Sequence, residues 1–169
     1  MRIFLESLGC SRNQVDSELM LGKLLTHGHT IVQEPSLAEV IIVNTCGFTS
    51  SAMDEAVDVI LEMAEYKKKG ACQRLIAAGC LSQRYKDAPE LTATLPEVDA
   101  FLGTAACDYI VEAVESNDIH PVSIFPDPNQ RPFYNFAEKR AALSNHYAYV
   151  KVSEGCSRKC TYCIIPKLR

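Results

Sequence analysis

The fold prediction rests on the run Val40-Ile41-Ile42-Val43, which is followed by Asn44-Thr45-Cys46. A continuous apolar run of this length is typical of a parallel strand covered on both faces, because a half-exposed strand alternates apolar with polar residues. The run therefore predicts a sheet with helices on both faces. The polar residues after it mark the carboxyl end of the strand.

Strand-like and helix-like stretches alternate on both sides of that run. Apolar residues three and four positions apart predict helices, and short apolar runs predict strands. The predicted strands are residues 2–8, 30–32, 40–43, 74–78 and 98–102, and the predicted helices are residues 13–27, 51–69, 81–86 and 103–115. This alternation predicts an α/β domain with an open parallel sheet over residues 1–116. Residues 117–145 carry several prolines and no sustained period, which is typical of a linker.

Three cysteines stand at or just after the carboxyl ends of predicted strands: Cys10, Cys46 and Cys80. In an open parallel sheet those ends share one edge, where ligands bind. A glycine adjoins each of the three cysteines, and glycine permits the tight backbone that a bulky inorganic ligand needs. We therefore expect the fold to bring three thiols together. The alternative is that buried thiols end these strands by chance.

A second set of thiols lies in Glu154-Gly155-Cys156-Ser157-Arg158-Lys159-Cys160-Thr161-Tyr162-Cys163, after a strand-like run over 147–152. Cysteine thiolates are the usual ligands of iron–sulfur clusters. The Cys-x3-Cys-x2-Cys spacing can wrap three thiolates around one four-iron, four-sulfur cluster and leave its fourth iron open. An open metal position is more typical of catalysis than of structure. A zinc knuckle that lacks one ligand, or three unrelated thiols, would have the same spacing.

The composition points to a cytoplasmic protein with no membrane partner. No apolar stretch of the 169 residues approaches the ~20 that a membrane helix needs, and Met1-Arg2-Ile3 leads into a strand rather than a signal peptide. Disulfides are rare in a reducing compartment, so eight cysteines indicate metal or redox use. Cys72, in a turn, and Cys107, on a helix face, are interpreted as cysteines that are not ligands.

The charge is unevenly distributed along the chain. The net charge of −4 argues against nucleic-acid binding by the whole molecule. Basic residues nevertheless crowd the C-terminal end: Lys139, Arg140, Lys151, Arg158, Lys159, Lys167 and Arg169. They form either a solvated face or a site for an anionic partner near the cysteine loop.

Five short motifs together resemble the N-terminal domain of the radical S-adenosylmethionine (SAM) methylthiotransferases, and the cysteine loop resembles the catalytic core of the same family. The motifs are Leu8-Gly9-Cys10-Ser11-Arg12-Asn13, Val15-Asp16-Ser17-Glu18, Asn44-Thr45-Cys46-Gly47-Phe48, Gly79-Cys80-Leu81-Ser82-Gln83-Arg84-Tyr85 and Pro96-Glu97-Val98-Asp99-Ala100. The resemblance covers nearly the whole chain, with cysteines in two matching contexts.

The resemblance implies two 4Fe–4S clusters and SAM as cofactors. Cys10, Cys46 and Cys80 would hold an auxiliary cluster, and Cys156, Cys160 and Cys163 would hold the radical-generating cluster, whose open iron binds SAM. Tyr162 would pack on the adenine of SAM. Residues 146–169 would then be the first strand and cluster loop of a partial TIM barrel. Since a barrel of that type takes on the order of 200 residues or more, we expect the chain to be part of a longer enzyme and inactive alone.

The family has two branches that differ in substrate. One modifies isopentenyladenosine in tRNA, and the other adds a methylthio group to the β-carbon of an aspartate in a small-subunit ribosomal protein. Residues 15–18, 46–48 and 83–85 are more similar to the second branch. We therefore expect a ribosomal protein as substrate, with tRNA as the alternative, and an external electron donor as a further partner. A non-catalytic iron–sulfur or zinc module is the alternative from a different class.

Overall fold

The computed structural model describes residues 1–88, 93–116, 118, 121–130 and 139–169. The strands are β1 (Arg2–Ser7), β2 (Thr30–Ile31), β3 (Val40–Thr45), β4 (Arg74–Gly79), β5 (Ala100–Leu102) and β6 (Val122–Ile124). The helices are α1 (Ser11–Thr26), α2 (Ser50–Lys69), α3 (Cys80–Arg84), α4 (Ile110–Glu115) and α5 (Ile165–Leu168). Short 3-10 turns lie at Pro35–Leu37, Ala106–Tyr109 and Pro128–Gln130.

The six strands form one sheet in the order β2-β1-β3-β4-β5-β6, and every pairing is parallel. The chain first moves outward from β1 to β2, and then returns to place β3 on the opposite side of β1. This reversal makes the gap beyond the carboxyl ends of β1 and β3 the switch point of the sheet, which is where open α/β sheets bind ligands.

Helices cover both faces of the sheet, as the apolar run in β3 predicts. Ile42 points into a core with Met20 and Leu24 of α1, whereas Ile41 points into a second core with Ile60 of α2. All five side chains are at most 1% exposed. Burial of an aliphatic side chain of this size contributes about 1.5–3 kcal/mol. The packing therefore explains why β3 contains no polar residue before Asn44.

The ends of the helices differ slightly from the predicted ends. The α2 helix begins at Ser50 because the Thr49 hydroxyl accepts a hydrogen bond from the amide of Ala52 (3.3 Å), and Gly70 follows its last residue. The helix predicted from residue 103 begins only at Ile110, after a 3-10 turn. Helix propensity alone does not distinguish a 3-10 turn from a turn of α-helix, since both satisfy local backbone groups.

Two stretches differ in kind from the prediction. Val122–Ile124, within the predicted linker, forms β6 and pairs with β5, with Val122 opposite Ala100. A three-residue edge strand is too short to show a period, which is why the pattern missed it. Residues 147–152, predicted as the first strand of a barrel, are not a strand, and Val150 and Val152 are 82% and 88% exposed. That prediction was wrong, because a strand requires a partner for its backbone groups.

Candidate metal centre

The structure places the first three cysteines at one edge of the sheet. Cys10 lies between β1 and α1, Cys46 follows β3, and Cys80 is the first residue of α3, directly after β4. The strands β1, β3 and β4 are neighbours, so the three cysteines share the edge at the switch point. Their exposure differs: Cys10 is exposed, Cys46 is half-buried and Cys80 is buried.

Close backbone packing brings these cysteines toward one another. A Cβ added to Gly9 would lie 2.8 Å from the Cβ and 3.1 Å from the Sγ of Cys46, so only glycine fits beside that thiol. A Cβ on Gly47 would likewise lie 2.7 Å from the carbonyl oxygen of Cys80. Burial raises the pKa of the Cys80 thiol and the nearby Arg169 cation opposes that rise, while the charges of Cys46 and Cys10 raise it further. The thiols of Cys46 and Cys10 thus lie within electrostatic reach of the Cys80 thiol.

A buried amide, Asn13, ties the ends of two strands together. Its Nδ2 donates to the carbonyl oxygens of Leu8 (3.0 Å) and Thr45 (2.9 Å), which follow β1 and end β3. The side chain is fully buried, so each of these hydrogen bonds replaces one with water and leaves no polar group unsatisfied. Its position in the first turn of α1 lets it fix the loop that carries Cys10.

A second amide, Asn44, links the end of β3 to α1, and its neighbour Thr45 links β3 to β4. Asn44 Nδ2 donates to the carbonyl oxygen of Asn13 and to the hydroxyl of Ser17, both at 2.9 Å. The Thr45 hydroxyl donates to the carbonyl oxygen of Ala78 (2.6 Å). The sequence motifs contain Asn13, Asn44 and Thr45, but sequence reasoning assigned them no role. Polar residues directly after an apolar strand were the available signal.

The residues present fit a cluster better than a single ion. Within the described ranges, no group of three or more His, Cys, Asp or Glu side chains is arranged to hold one metal ion. A four-iron cluster makes a different demand, because each thiolate binds its own iron and so stands farther from the others. Three thiols around a glycine-lined edge, with Cys10 exposed beside a cavity, match that donor set.

The second cysteine set lies in a loop that closes on itself. Cys156 and Cys160 are exposed and Cys163 is half-buried, with the amide of Cys163 donating to the carbonyl oxygen of Cys160 (3.1 Å). A Cβ on Gly155 would lie 2.6 Å from the carbonyl oxygen of Arg169, so the start of the loop is in contact with the residue that follows α5. The Tyr162 ring, predicted to pack on a nucleoside, is 91% exposed and thus accessible.

Two acids of α1 anchor the C-terminal segment, a role that sequence reasoning missed. Asp16 binds Lys151 Nζ (2.5 Å) and Arg169 Nη1 (2.8 Å), and all three side chains are at most 5% exposed. Glu18 pairs with Arg140 and accepts a hydrogen bond from the amide of Leu143 (3.1 Å). Three of the C-terminal basic residues, Arg140, Lys151 and Arg169, therefore bind acids within the same chain. The sequence interpretation of these residues, as a solvated face or as a site for an anionic partner, did not include this role.

Two cavities flank Cys10. One, of about 300 Å³, lies between the start of α1 and residues 149–153. The other, of about 240 Å³, is lined by Tyr147 and Tyr149, whose rings meet edge to face at 5.2 Å between centroids. The exposed member of the first cysteine set thus opens onto space between the sheet edge and the C-terminal segment.

The other two cysteines lie in the two hydrophobic cores. Cys72 packs in the α2 core and its thiol donates to the carbonyl oxygen of Arg74 (3.3 Å), and Cys107 packs in the α1 core. Of the helices in the described part of the chain, none has the length and apolar character needed to cross a membrane.

Comparison with known proteins gives consistent matches over the whole chain. Residues 2–103 match a family model described as "Uncharacterized protein family UPF0004". The chain is 47% identical over 170 residues to a protein of Desulfosudis oleivorans named "Ribosomal protein uS12 methylthiotransferase RimO", with 100% of this chain and 38% of the relative covered. A protein of the same name from Myxococcus xanthus is 48% identical over 167 residues, with 99% of this chain and 34% of the relative covered.

The chain therefore spans between about a third and two-fifths of the length of these relatives, 34% and 38%. The family model covers more than half of the chain and includes Cys10, Cys46 and Cys80. The match to the relatives extends through the second cysteine loop. The chain belongs to the UPF0004 family, and over its whole length it is similar to the N-terminal part of the methylthiotransferases named RimO.

Proposed function

We propose that this chain is the auxiliary-cluster domain and the radical-cluster loop of a methylthiotransferase that modifies the β-carbon of an aspartate in a ribosomal protein. The observation that carries the proposal is the convergence of Cys10, Cys46 and Cys80 at the switch point of the sheet. The relatives' printed names support the reaction class and the ribosomal-protein substrate, uS12. We place the protein in the cytoplasm, where such a substrate is made.

The residues of the chain would divide the work between two sites. Cys10, Cys46 and Cys80 would hold one 4Fe–4S cluster, and Cys156, Cys160 and Cys163 would hold the other. When bound, these clusters with SAM and an external electron donor would supply the radical and sulfur chemistry that an unactivated carbon requires. The protein's contribution is to position them. The exposed ring of Tyr162 is free to pack on the adenine of SAM.

The site at the sheet edge would bind one cluster and still admit substrate. The polar frame of Asn13 and Asn44 fixes the strand ends, so the backbone that carries the cysteines is already held in place. The exposure of Cys10 beside two cavities leaves one side of the site open. We expect the substrate loop to approach from that side.

Cluster content tests this assignment. We expect anaerobic reconstitution with iron and sulfide to load two clusters in the 169-residue chain. The triple variants Cys10→Ala/Cys46→Ala/Cys80→Ala and Cys156→Ala/Cys160→Ala/Cys163→Ala should each retain half of the iron and labile sulfide. The double variant Cys72→Ala/Cys107→Ala is the matched control and should load like the parent. Stoichiometric zinc without labile sulfide would instead support a non-catalytic metal module.

The substrate is tested with the full-length protein, reconstituted and given SAM and a reductant. Mass spectrometry should find a methylthio group on the ribosomal-protein peptide and none on the tRNA nucleoside. Modification of the adenosine alone would refute the ribosomal-protein assignment and leave both cluster sites unaffected.

A further inference from the structure

The guanidinium of Arg169 lies against the deepest cysteine of the first set. Its Nη2 is 2.6 Å from Asn13 Oδ1 and 3.8 Å from the Sγ of Cys80, and its Nη1 is 2.8 Å from Asp16 Oδ2. Only 3% of its side chain is exposed. A buried cation requires partners on most of its donors, and Asp16, Glu154 and Asn13 together hold the orientation of this guanidinium.

The hydrogen bonds around Cys80 change when its proton is lost. As a thiol, Cys80 donates to Asn13 Oδ1 at 3.7 Å. A thiolate bound to iron has no proton to donate and can only accept. Arg169 Nη2 is the donor already in contact with that sulfur. A metal-bound Cys80 would therefore keep one hydrogen bond, from Arg169.

Arg169 is held on the backbone side as well. It follows Leu168, which is 1% exposed and whose carbonyl oxygen accepts a hydrogen bond from the Thr104 hydroxyl at 2.5 Å. Its own carbonyl oxygen contacts Gly155, at the start of the second cysteine loop. The residue thus joins the base of the second loop to a thiol of the first set.

We propose that Arg169 is a positioning residue, which donates a hydrogen bond to the Cys80 sulfur and raises the reduction potential of the cluster held there. The inference rests on the proposed auxiliary cluster. Hydrogen bonds to ligand sulfurs are one determinant of cluster potential. The reduced cluster carries one more negative charge, so a donor to its sulfur stabilises that state more than the oxidised one.

The test isolates the auxiliary cluster in the background Cys156→Ala/Cys160→Ala/Cys163→Ala. In that background we compare Arg169→Gln, Arg169→Lys and the control Lys167→Gln, which removes an exposed cation from α5, the helix that Arg169 directly follows. The measurements are iron and sulfide per chain and the midpoint potential from a titration followed by electron paramagnetic resonance. We expect a lower potential for Arg169→Gln, partial rescue by Arg169→Lys and no shift for Lys167→Gln.

The outcomes separate this inference from the proposed function. If the parent background loads no cluster, the proposed function is refuted, and this inference falls with it. If it loads and Arg169→Gln has the parental potential, the inference alone is overturned. If Arg169→Gln does not load, Arg169→Lys decides: a lowered potential supports the inference and a parental one overturns it. A shift for Lys167→Gln equal to that for Arg169→Gln also overturns it, since general charge would then be the cause.

Discussion

Replacement of Gly79 by alanine, next to the candidate ligand Cys80, should lower the free energy of unfolding of the domain. Gly79 ends β4 directly before Cys80, with φ at +93° and ψ at −148°. Residues other than glycine rarely adopt this backbone conformation, which costs them of the order of 1–3 kcal/mol. Space is lacking too, because a Cβ would overlap Asn44 Oδ1 and lie 2.7 Å from the carbonyl oxygen of Thr45.

The cost of the overlap can be worked out from the contacts of Asn44. To make room, its amide must leave the two partners of its Nδ2, the carbonyl oxygen of Asn13 and the hydroxyl of Ser17. Each hydrogen bond contributes about 0.5–1.5 kcal/mol, so the two together add about 1–3 kcal/mol. Adding the strain of the backbone, we expect Gly79→Ala to lower the free energy of unfolding by about 2–6 kcal/mol.

Gly28→Ala is the matched control, because it separates strain from overlap. Gly28 has φ at +82°, and a Cβ there would meet nothing within 4 Å. We expect a loss of only about 1–2 kcal/mol, the usual penalty for a left-handed residue. The assay is urea unfolding of the metal-free, reduced chain, followed by circular dichroism, with the free energy from linear extrapolation. Equal losses for the two variants would refute the overlap argument, and no loss for Gly79→Ala would refute the whole account.

Three further predictions concern the C-terminal segment and the buried cysteine. Gly22→Ala should increase hydrogen exchange over residues 139–143 without unfolding α1, because a Cβ would overlap the carbonyl oxygen of Lys139; unchanged exchange would contradict this. Burial raises the pKa of the Glu18 carboxyl, but its hydrogen bonds and the Arg140 cation lower it more, so the pKa lies below 4.5. The stabilisation from the Glu18 carboxylate is present above pH 4.5 and is lost as the pH falls through the pKa of the folded protein. Glu18→Gln should therefore make the free energy of unfolding depend less on pH below pH 4.5. Native alkylation should label the exposed Cys156 before the buried Cys72, because burial raises the pKa of the Cys72 thiol; equal labelling by mass spectrometry would count against the packed core.

The position of Cys10, Cys46 and Cys80 at one edge of the sheet is the part of the site that the sequence predicted best. The β3 run is apolar without interruption, and its burial on both faces follows from hydrophobicity alone. Once the strands are parallel, their carboxyl ends meet, so the grouping of Cys10, Cys46 and Cys80 at one edge needs no knowledge of side-chain contacts. Their role as ligands stays a prediction.

Tertiary structure decided how the C-terminal segment is arranged. Residues 147–152 have the apolar content of a strand but pair with no strand. Val122–Ile124, which has no strand signal in the sequence, pairs with β5 and forms a strand. A periodic pattern reports which side chains favour burial, but backbone hydrogen bonds depend on which partner is within reach.

The ion pairs of Asp16 show the same limit most clearly. Their partners Lys151 and Arg169 are 135 and 153 positions away along the chain. The sequence shows that acids lie in the predicted first helix and that bases lie near the C-terminal end. Only the fold brought them together, because a charge carries no local signal of its partner and long-range pairing depends on the path of the whole chain.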